Sequence, residues 1–232
     1  MEHKDFLFSG GACFYYDDAL FPPGTDSFAL GYFARAKAGE AVCDLGSGTG
    51  LLGTLLLARN AALTVHCVEI SDAATALAQK SFAQNAWADR AIFHAGDLRD
   101  VSVLPKAGSI DLCISNPPYF KAGSGASCGE NAHKTAREES LCTLDDVCAA
   151  AARVLRWGGR FCIVHRVERL TDLLCALRAH AMEPKRLRFV LPRSDAAPSL
   201  LLIEARRGGK SGLTVEPPLV IGSEEWDKVY FR

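Results

Sequence analysis

Two short stretches of this chain hold residues that could do chemistry together. Asn116-Pro117-Pro118-Tyr119 ends one apolar run, and Asp44-Leu45-Gly46-Ser47-Gly48-Thr49-Gly50 ends another. A proline drives the residue before it out of the helical region, so Asn116 and Pro117 are both held extended. The Asn116 side-chain oxygen and the Pro117 carbonyl can then converge on a single amino group. An aromatic amine or amide nitrogen is a poor nucleophile, because its lone pair is delocalised. Two acceptors on its hydrogens localise that pair, and in-line attack on a methyl sulfonium becomes feasible. No strong base is required, since the amine acidifies as it is methylated. Tyr119, or Phe120 beside it, can stack on a planar base.

The glycine run follows a strand-like segment and opens a helix-like one. Glycines there allow close backbone approach and present amide groups at a helix N-terminus. Gly48-Thr49-Gly50-Leu51-Leu52-Gly53 also spells the Gly-x-Gly-x-x-Gly pattern of a dinucleotide site. The acidic Asp44 at the strand end suits a ligand carrying an amino group better than a pyrophosphate. Glu69 closes the next strand-like segment, where a carboxylate accepts hydrogen bonds from both ribose hydroxyls of an adenosine. Asp97, in Ala95-Gly96-Asp97, could hold the exocyclic amine of that adenine, whereas Asp100 reads as a solvated loop charge.

These residues need a scaffold that brings strand ends together, and the pattern supplies one. Strand-like runs at Ala41–Leu45, Thr64–Ile70, Ala91–His94, Ile110–Ser115 and Phe161–His165 alternate with helix-like runs. The helical runs begin at Leu51, cover Ala73–Gln84, run from an N-cap at Thr143 to Leu155, and cover Glu168–His180. Such alternation means βαβ crossovers and a doubly wound, mostly parallel α/β sheet of the Rossmann-like kind. Arg188–Leu191 and Leu200–Ala205 bring the count to seven strands, and with no long helix between them they are expected to form an antiparallel edge. In such sheets the ligand lies outside the carboxyl ends of the strands. Residues 1–40 read as an aromatic-rich cap segment, 41–210 as the main domain and 211–232 as an extended tail. Pro22-Pro23-Gly24-Thr25-Asp26-Ser27 is expected to turn the chain over one end of the sheet. Residues 120–140 form a long small-residue loop after the fourth strand, a position more often functional than structural.

A chain of 232 residues that is 49% hydrophobic can bury one substantial core and is too apolar for disorder. No run approaches the roughly 18 apolar residues of a membrane helix, and no basic-then-apolar leader opens the chain. Nine cysteines without a Cys-x-x-Cys pair read as reduced, mostly buried thiols. Neither a metal site nor a catalytic thiol is expected, and the compartment implied is the cytoplasm. Net charge is −1, yet residues 1–152 carry 11 Lys/Arg against 18 Asp/Glu while residues 153–210 carry 13 against 5. That basic half is either a footprint for a polyanion such as RNA or a set of solvated helix faces. Arg156, Arg160, Arg186, Arg188 and Arg193 are its candidates. His165, inside a strand, reads as a core residue.

With the glycine loop and Asn116-Pro117-Pro118-Tyr119 in place, the chain resembles the S-adenosylmethionine-dependent amino-methyltransferases of the Rossmann-like class, over about residues 25–206. More narrowly it is similar to bacterial adenine-N6 tRNA methyltransferases acting beside the anticodon of a valine tRNA. The supporting residues are Gly24-Thr25-Asp26-Ser27, Asn116 through Lys121, Ala136-Arg137-Glu138, Cys142 through Val147, and Glu204 through Lys210. The resemblance implies a donor, S-adenosylmethionine, bound by Thr25, Asp26, Asp44, Gly46, Gly48, Gly50, Glu69, Asp97 and Asn116. It implies Asn116, Pro117 and Tyr119 at the target amine, and Tyr119, Phe120, Lys121, Lys134 and Arg137 on the substrate, with tRNA as partner. His133 reads as a solvated loop histidine.

Other functions remain open on sequence grounds. A protein-glutamine methyltransferase uses the same Asn-Pro-Pro-Tyr logic, but enzymes of that kind carry an N-terminal helical domain for which residues 1–40 leave little room. Guanine-N2 or DNA-adenine methylation would use this scaffold too. A non-catalytic RNA-binding module would have no use for an intact Glu69 and Asn116, and a nicotinamide oxidoreductase leaves Asn116-Pro117-Pro118-Tyr119 unexplained.

Overall fold

A computed structural model describes residues 1–20, 22–117 and 142–231. The central sheet is built from β3 (Ala41–Leu45), β4 (Thr64–Glu69), β5 (Ala91–Ala95), β6 (Ile110–Ser115), β7 (Leu155–Arg166), β8 (Met182–Leu191) and β9 (Leu200–Arg207). Their spatial order is β8-β9-β7-β6-β3-β4-β5. The ladders from β7 through β5 are parallel, and β9 runs antiparallel to both β7 and β8. The seven expected strands and their antiparallel edge are therefore present. Two further two-residue strands, β10 (Thr214–Val215) and β11 (Leu219–Val220), run parallel to β8 and bring the sheet to nine.

Parallel strands covered on both faces read as continuous apolar runs, and alternate residues go to opposite sides. Val42, Val65, Cys67, Leu112, Ile114 and Cys162 face one core, with α1 (Thr25–Phe33) and α2 (Leu51–Arg59) on it. Cys43, Leu45, Val68, Cys113, Phe161 and Ile163 face the other, beneath α4 (Leu144–Val154) and α5 (Leu170–Ala179). The strand cysteines thus act as small hydrophobes, and the eight cysteines among the described residues are all free. Thr143 caps α4 in a reciprocal capping box with Asp146, a device that stabilises a helix by about 1 kcal/mol. Among the described residues no helix is long and apolar enough to cross a membrane.

The ends of the chain depart from expectation. β1 (Glu2–Phe6) and β2 (Cys13–Asp17) form a separate antiparallel hairpin. It docks on α3 (Asp72–Gln84), with Asn85 Oδ1 accepting from the Cys13 amide and Ser81 Oγ from the Tyr15 amide, both at 2.9 Å. Thr25-Asp26-Ser27 is the first turn of α1 instead of a reversal, with Gly24 extended at its N-cap. β8 begins at Met182, six residues before the expected start, because Met182 through Pro184 already pair with the end of β9; the register shifts between Pro184, which has no amide to donate, and Arg186. The last residues return to the sheet through β10 and β11 and end in α6 (Glu224–Val229), whose Trp226 and Val229 are buried.

Candidate active site

The order of the strands reverses at β3, since β4 and β5 lie to one side of it and β6 to the other. The carboxyl ends of β3 and β6 therefore flank the crevice where open α/β sheets bind ligands. Asp44 and the glycine run leave β3 there, and Asn116 leaves β6 there. Ser115 Oγ donates to the Leu45 carbonyl at 2.8 Å, which fixes the two strand ends against each other. The Gly46 and Ser47 amides both donate to the Val68 carbonyl, at 2.9 and 3.0 Å, and fold the loop back over β4. Gly50 stands at φ +77° as the N-cap of α2, and a Cβ on it would lie 2.8 Å from the Ala78 Cβ. Only glycine fits both its left-handed backbone and the close approach of α3.

Asp44 is wholly buried, and neither carboxylate oxygen has a hydrogen-bond partner among the described residues. Burial, reinforced by the neighbouring charge of Glu69, pushes its carboxyl up to about 8. Ser47 Oγ is likewise buried and unpartnered. A buried carboxylate without donors is costly, so such a set is incomplete without a cationic or hydrogen-bonding ligand. Gly46 is exposed beside it at φ +71°, with open space where a side chain would stand. Glu69 is buried at the end of β4, where its two oxygens accept from the Gly48 and Ser71 amides, each at 2.8 Å. It shapes the glycine loop as well as facing the crevice.

Ile70, next to Glu69, is 60% exposed. An exposed isoleucine beside a strand-end carboxylate offers an apolar surface to a flat ring; that signal was present in Val68-Glu69-Ile70 but is weak without the strand end known. Asp97 follows β5, and the Gly96 amide donates to the Glu69 carbonyl at 2.8 Å. The Asp97 carboxylate is gripped by Arg99, whose Nε and terminal nitrogen approach it at 2.5–3.1 Å and hold it below the usual carboxylate range. A ligand amine there would share Asp97 with Arg99.

Asn116 is half-buried, and its side-chain nitrogen donates to Ser27 Oγ at 2.9 Å. With the nitrogen turned to Ser27, the carboxamide oxygen takes the other end. Ser27, which the sequence places only in the supporting stretch Gly24-Thr25-Asp26-Ser27 with no role of its own, is the contact that holds the Asn116 nitrogen. Thr25 is exposed in the same turn of α1, and Asp26 Oδ1 accepts from the Ser27 amide at 2.8 Å. Pro117 is the last described residue of this strand end; Pro118, Tyr119, Phe120, Lys121, His133, Lys134 and Arg137 lie outside the described residues. His165 is 2% exposed, accepts from the Arg166 amide through Nδ1 and is pushed down to about 4 by burial, as befits a neutral core residue. Among the described residues no cluster could hold a metal ion.

The arginine-rich half is largely neutralised within the molecule. Arg160 meets Glu40 at 2.7 Å, Arg186 meets Glu204 and Glu216 at 2.7 and 2.9 Å, and Arg188 meets Glu225 at 2.6 Å. Arg156 pairs with Asp111 at 2.5 Å, and the exposed Arg193 with Asp195 at 3.1 Å. Arg160, Arg186 and Arg188 are thus largely internal, whereas Arg156 and Arg193 keep exposed side chains beside their partners.

A sheet reversing at β3, a glycine loop over a buried acid and an asparagine at the facing strand end define the Rossmann-like methyltransferase class. Solved structures agree on the fold. A predicted O-methyltransferase from Agrobacterium tumefaciens superposes with a TM-score of 0.73 at 19% identity, over 89% of this chain and 95% of that one. TrmN from Thermus thermophilus superposes with a TM-score of 0.58 at 16% identity, over 78% of this chain and 48% of that one. The chain belongs to the methyltransferase small domain family, whose profile matches residues 24–174. Relatives named tRNA1(Val) (adenine(37)-N6)-methyltransferase include one from Porphyromonas gingivalis, 30% identical over 79% of this chain and 73% of that protein. Another, from Pectobacterium carotovorum, is 28% identical over 90% and 83% of the two chains. A third, from Serratia proteamaculans, is 33% identical over 64% of this chain and spans 56% of the relative.

Proposed function

We propose that this chain transfers a methyl group from S-adenosylmethionine to the N6 amine of an adenine in tRNA. The observation that carries this reading is the Asn116 carboxamide, fixed by Ser27 at the strand end that faces the unpartnered Asp44. The donor, when bound, supplies an electrophilic methyl on a cationic sulfonium. Asp44 and Glu69 would hold it, with Gly46, Gly48 and Gly50 allowing backbone approach and Asp97, Thr25 and Asp26 at its periphery. The unpaired buried carboxylate fits a ligand with positive charge, and exposed Ile70 beside Glu69 fits a flat purine.

Asn116 Oδ1 and the Pro117 carbonyl accept the two hydrogens of the target amine, which turns the nitrogen lone pair toward the methyl group. Tyr119 stacks on the base, and Phe120, Lys121, Lys134 and Arg137 contact the substrate after it. A base within a folded anticodon arm must be unstacked to reach this crevice. The relatives named for adenine-N6 methylation of a valine tRNA support the substrate class. Free cysteines in the described part of the chain support a reducing, cytoplasmic setting.

The test is methyl transfer from labelled S-adenosylmethionine to unmodified tRNA and to a release-factor protein in parallel, with nucleoside analysis. N6-methyladenosine in tRNA is the expected product. Label in the protein alone would replace adenine with glutamine as the target. Asn116→Ala should lower kcat by at least about 100-fold while donor Kd changes less than twofold. A large loss of donor binding would refute the role given to Asn116.

A further inference from the structure

With the internal ion pairs removed from the count, the remaining basic side chains of residues 153–210 are not scattered. Arg153 lies in the last turn of α4, immediately before β7 begins at Leu155. Arg206 and Arg207 end β9, which runs antiparallel to β7, and Lys185 stands near the start of β8. All of these positions, and Lys210 just beyond β9, fall at the amino-terminal edge of the parallel strands. Arg206 Nε donates to the Gly158 carbonyl at 3.0 Å, the Arg207 guanidinium to the Leu155 carbonyl, and Lys185 Nζ to the Lys210 carbonyl at 3.0 Å. These bonds order the side chains without neutralising their charge. The carboxylates at the same edge are already engaged, Asp111 by Arg156, Glu183 by Arg178 and Glu40 by Arg160.

In the middle of this cluster Trp157 is 69% exposed. One face of its indole lies on Gly208, where a Cβ would overlap the ring, and the Arg207 guanidinium stands 5.9 Å from the ring centroid. An exposed planar ring among unneutralised guanidinium and ammonium groups combines base stacking with phosphate attraction. Among the described residues the opposite edge carries Glu69, Asp97 and Asp100 with Arg99, besides the buried Asp44. That edge suits a cationic donor.

We propose that the amino-terminal edge, with Trp157, Arg153, Lys185, Arg206, Arg207 and Lys210, is a second RNA contact. It holds the sugar-phosphate backbone and one unpaired base of the substrate tRNA away from the methyl-transfer crevice. Leu155 and Arg160, which flank Trp157, pair with Ile110 and Leu112, so Trp157 stands at the far end of β6 from Ser115, roughly 15–20 Å from Asn116 along the sheet. That is about the width of an RNA stem, and one tRNA can reach both edges. The proposal rests on tRNA being the substrate.

The experiment measures tRNA binding by the full chain against salt, together with steady-state methyl transfer. Arg206→Gln/Arg207→Gln/Lys210→Gln should reduce the slope of log K against log salt by about 2 to 3 and raise tRNA KM roughly tenfold or more. Donor Kd should stay within twofold. Because Arg207 also holds the Leu155 carbonyl, Arg153→Gln/Lys210→Gln, with exposed side chains, is the second variant; its slope should fall by about 1 to 2. Trp157→Ala should weaken tRNA about tenfold at fixed salt and leave the slope unchanged. Unchanged slopes and KM in both charge variants would overturn the proposal while leaving methyl transfer intact. tRNA binding that depends on these residues without methyl transfer would instead refute the proposed function and leave this surface standing. Competition by polyglutamate equal to that of RNA at equal charge would mark the face as a site for acidic protein and overturn the assignment to RNA.

Discussion

The buried Asp44 makes a prediction that can be worked to a number. Its carboxyl stands at about 8 in the folded chain against 3.8 ordinarily, with burial the main cause and Glu69 the second. Between those two pH values the folded chain holds one proton more than the unfolded chain. The resulting contribution to stability is fully present below about pH 4 and lost as pH rises toward 8. The slope is about 1.4 kcal/mol per pH unit, or about 2.7 kcal/mol from pH 5 to pH 7. Asp44→Asn keeps the shape of the side chain and never ionises. Near pH 3, where the position is neutral in both proteins whether folded or unfolded, the two should melt together in the absence of donor, and by pH 5 the variant should already be about 1.6 kcal/mol ahead. From pH 5 to pH 7 the lead of the variant should widen by roughly 5–10 °C.

The difference between the two proteins is the quantity to follow. Burial lowers the affinity of His66, His94 and His165 for protons, and these groups destabilise the chain as pH falls, the opposite sense to Asp44. They are common to both proteins and cancel in the comparison. Calorimetry supplies the second half of the test. A cationic donor must ionise Asp44, so its binding to the wild-type chain should release close to one proton at pH 7, and its affinity should rise by up to about tenfold per pH unit from 5 toward 8. The variant should bind donor weakly and release none. A variant less stable than wild type at pH 7, or a melting difference independent of pH, would refute the reasoning.

Three further outcomes follow from the geometry. Ser27→Ala removes the acceptor that holds the Asn116 nitrogen, and a hydrogen bond of about 1 kcal/mol corresponds to a kcat about fivefold lower with donor Kd unchanged; Ser27→Thr should restore much of it, and an unchanged kcat would show that Asn116 is oriented by other contacts. Arg160→Met leaves the nearly buried Glu40 without its partner and should cost about 3 kcal/mol, read as a loss of roughly 6–12 °C in Tm; a change under 2 °C would place that pair among weak surface bridges. Gly50→Ala combines a left-handed backbone with a 2.8 Å approach to Ala78 and should cost about 2 kcal/mol or more in a denaturant titration, with donor binding weakened because the loop shifts; a neutral substitution would show that α3 gives way.

What was legible in the sequence was what chain neighbours determine. The strands β3 through β7 are continuous apolar runs, and the glycine loop and Asn116-Pro117 each follow one directly, so both strand and strand-end chemistry are local signals. What was hidden depends on partners far along the chain. Ser27 reaches Asn116 across 89 positions, and Arg160 reaches Glu40 across 120. The arginines of residues 153–210 therefore looked like a free surface when several of them are internal struts. β1 is almost wholly exposed and carries no alternating pattern, and β10 and β11 pair over two residues each, too few to mark a period. Thr25-Asp26-Ser27 follows Pro22-Pro23-Gly24 and reads as a turn; it is helical because Phe28, Leu30 and Phe33 have a core to enter.

Glu69 shows why a loss of donor binding on mutation would not by itself prove a ribose contact. Its oxygens accept from the Gly48 and Ser71 amides, one in the glycine loop and one at the N-cap of α3. Removing the carboxylate therefore loosens the wall of the crevice as well as deleting an acceptor. It also removes the second charge that keeps Asp44 protonated. Glu69→Gln separates these effects, because the amide retains an oxygen for one backbone donor while its charge is gone. Asp44 should then ionise more readily, and the pH at which donor affinity levels off should move below 8. Two carboxylates at adjacent strand ends thus have unequal parts: Glu69, with its donors satisfied, shapes the loop, and Asp44, without any, favours a cation. The pairing is most costly in the absence of donor, and that cost is relieved when a cationic group binds.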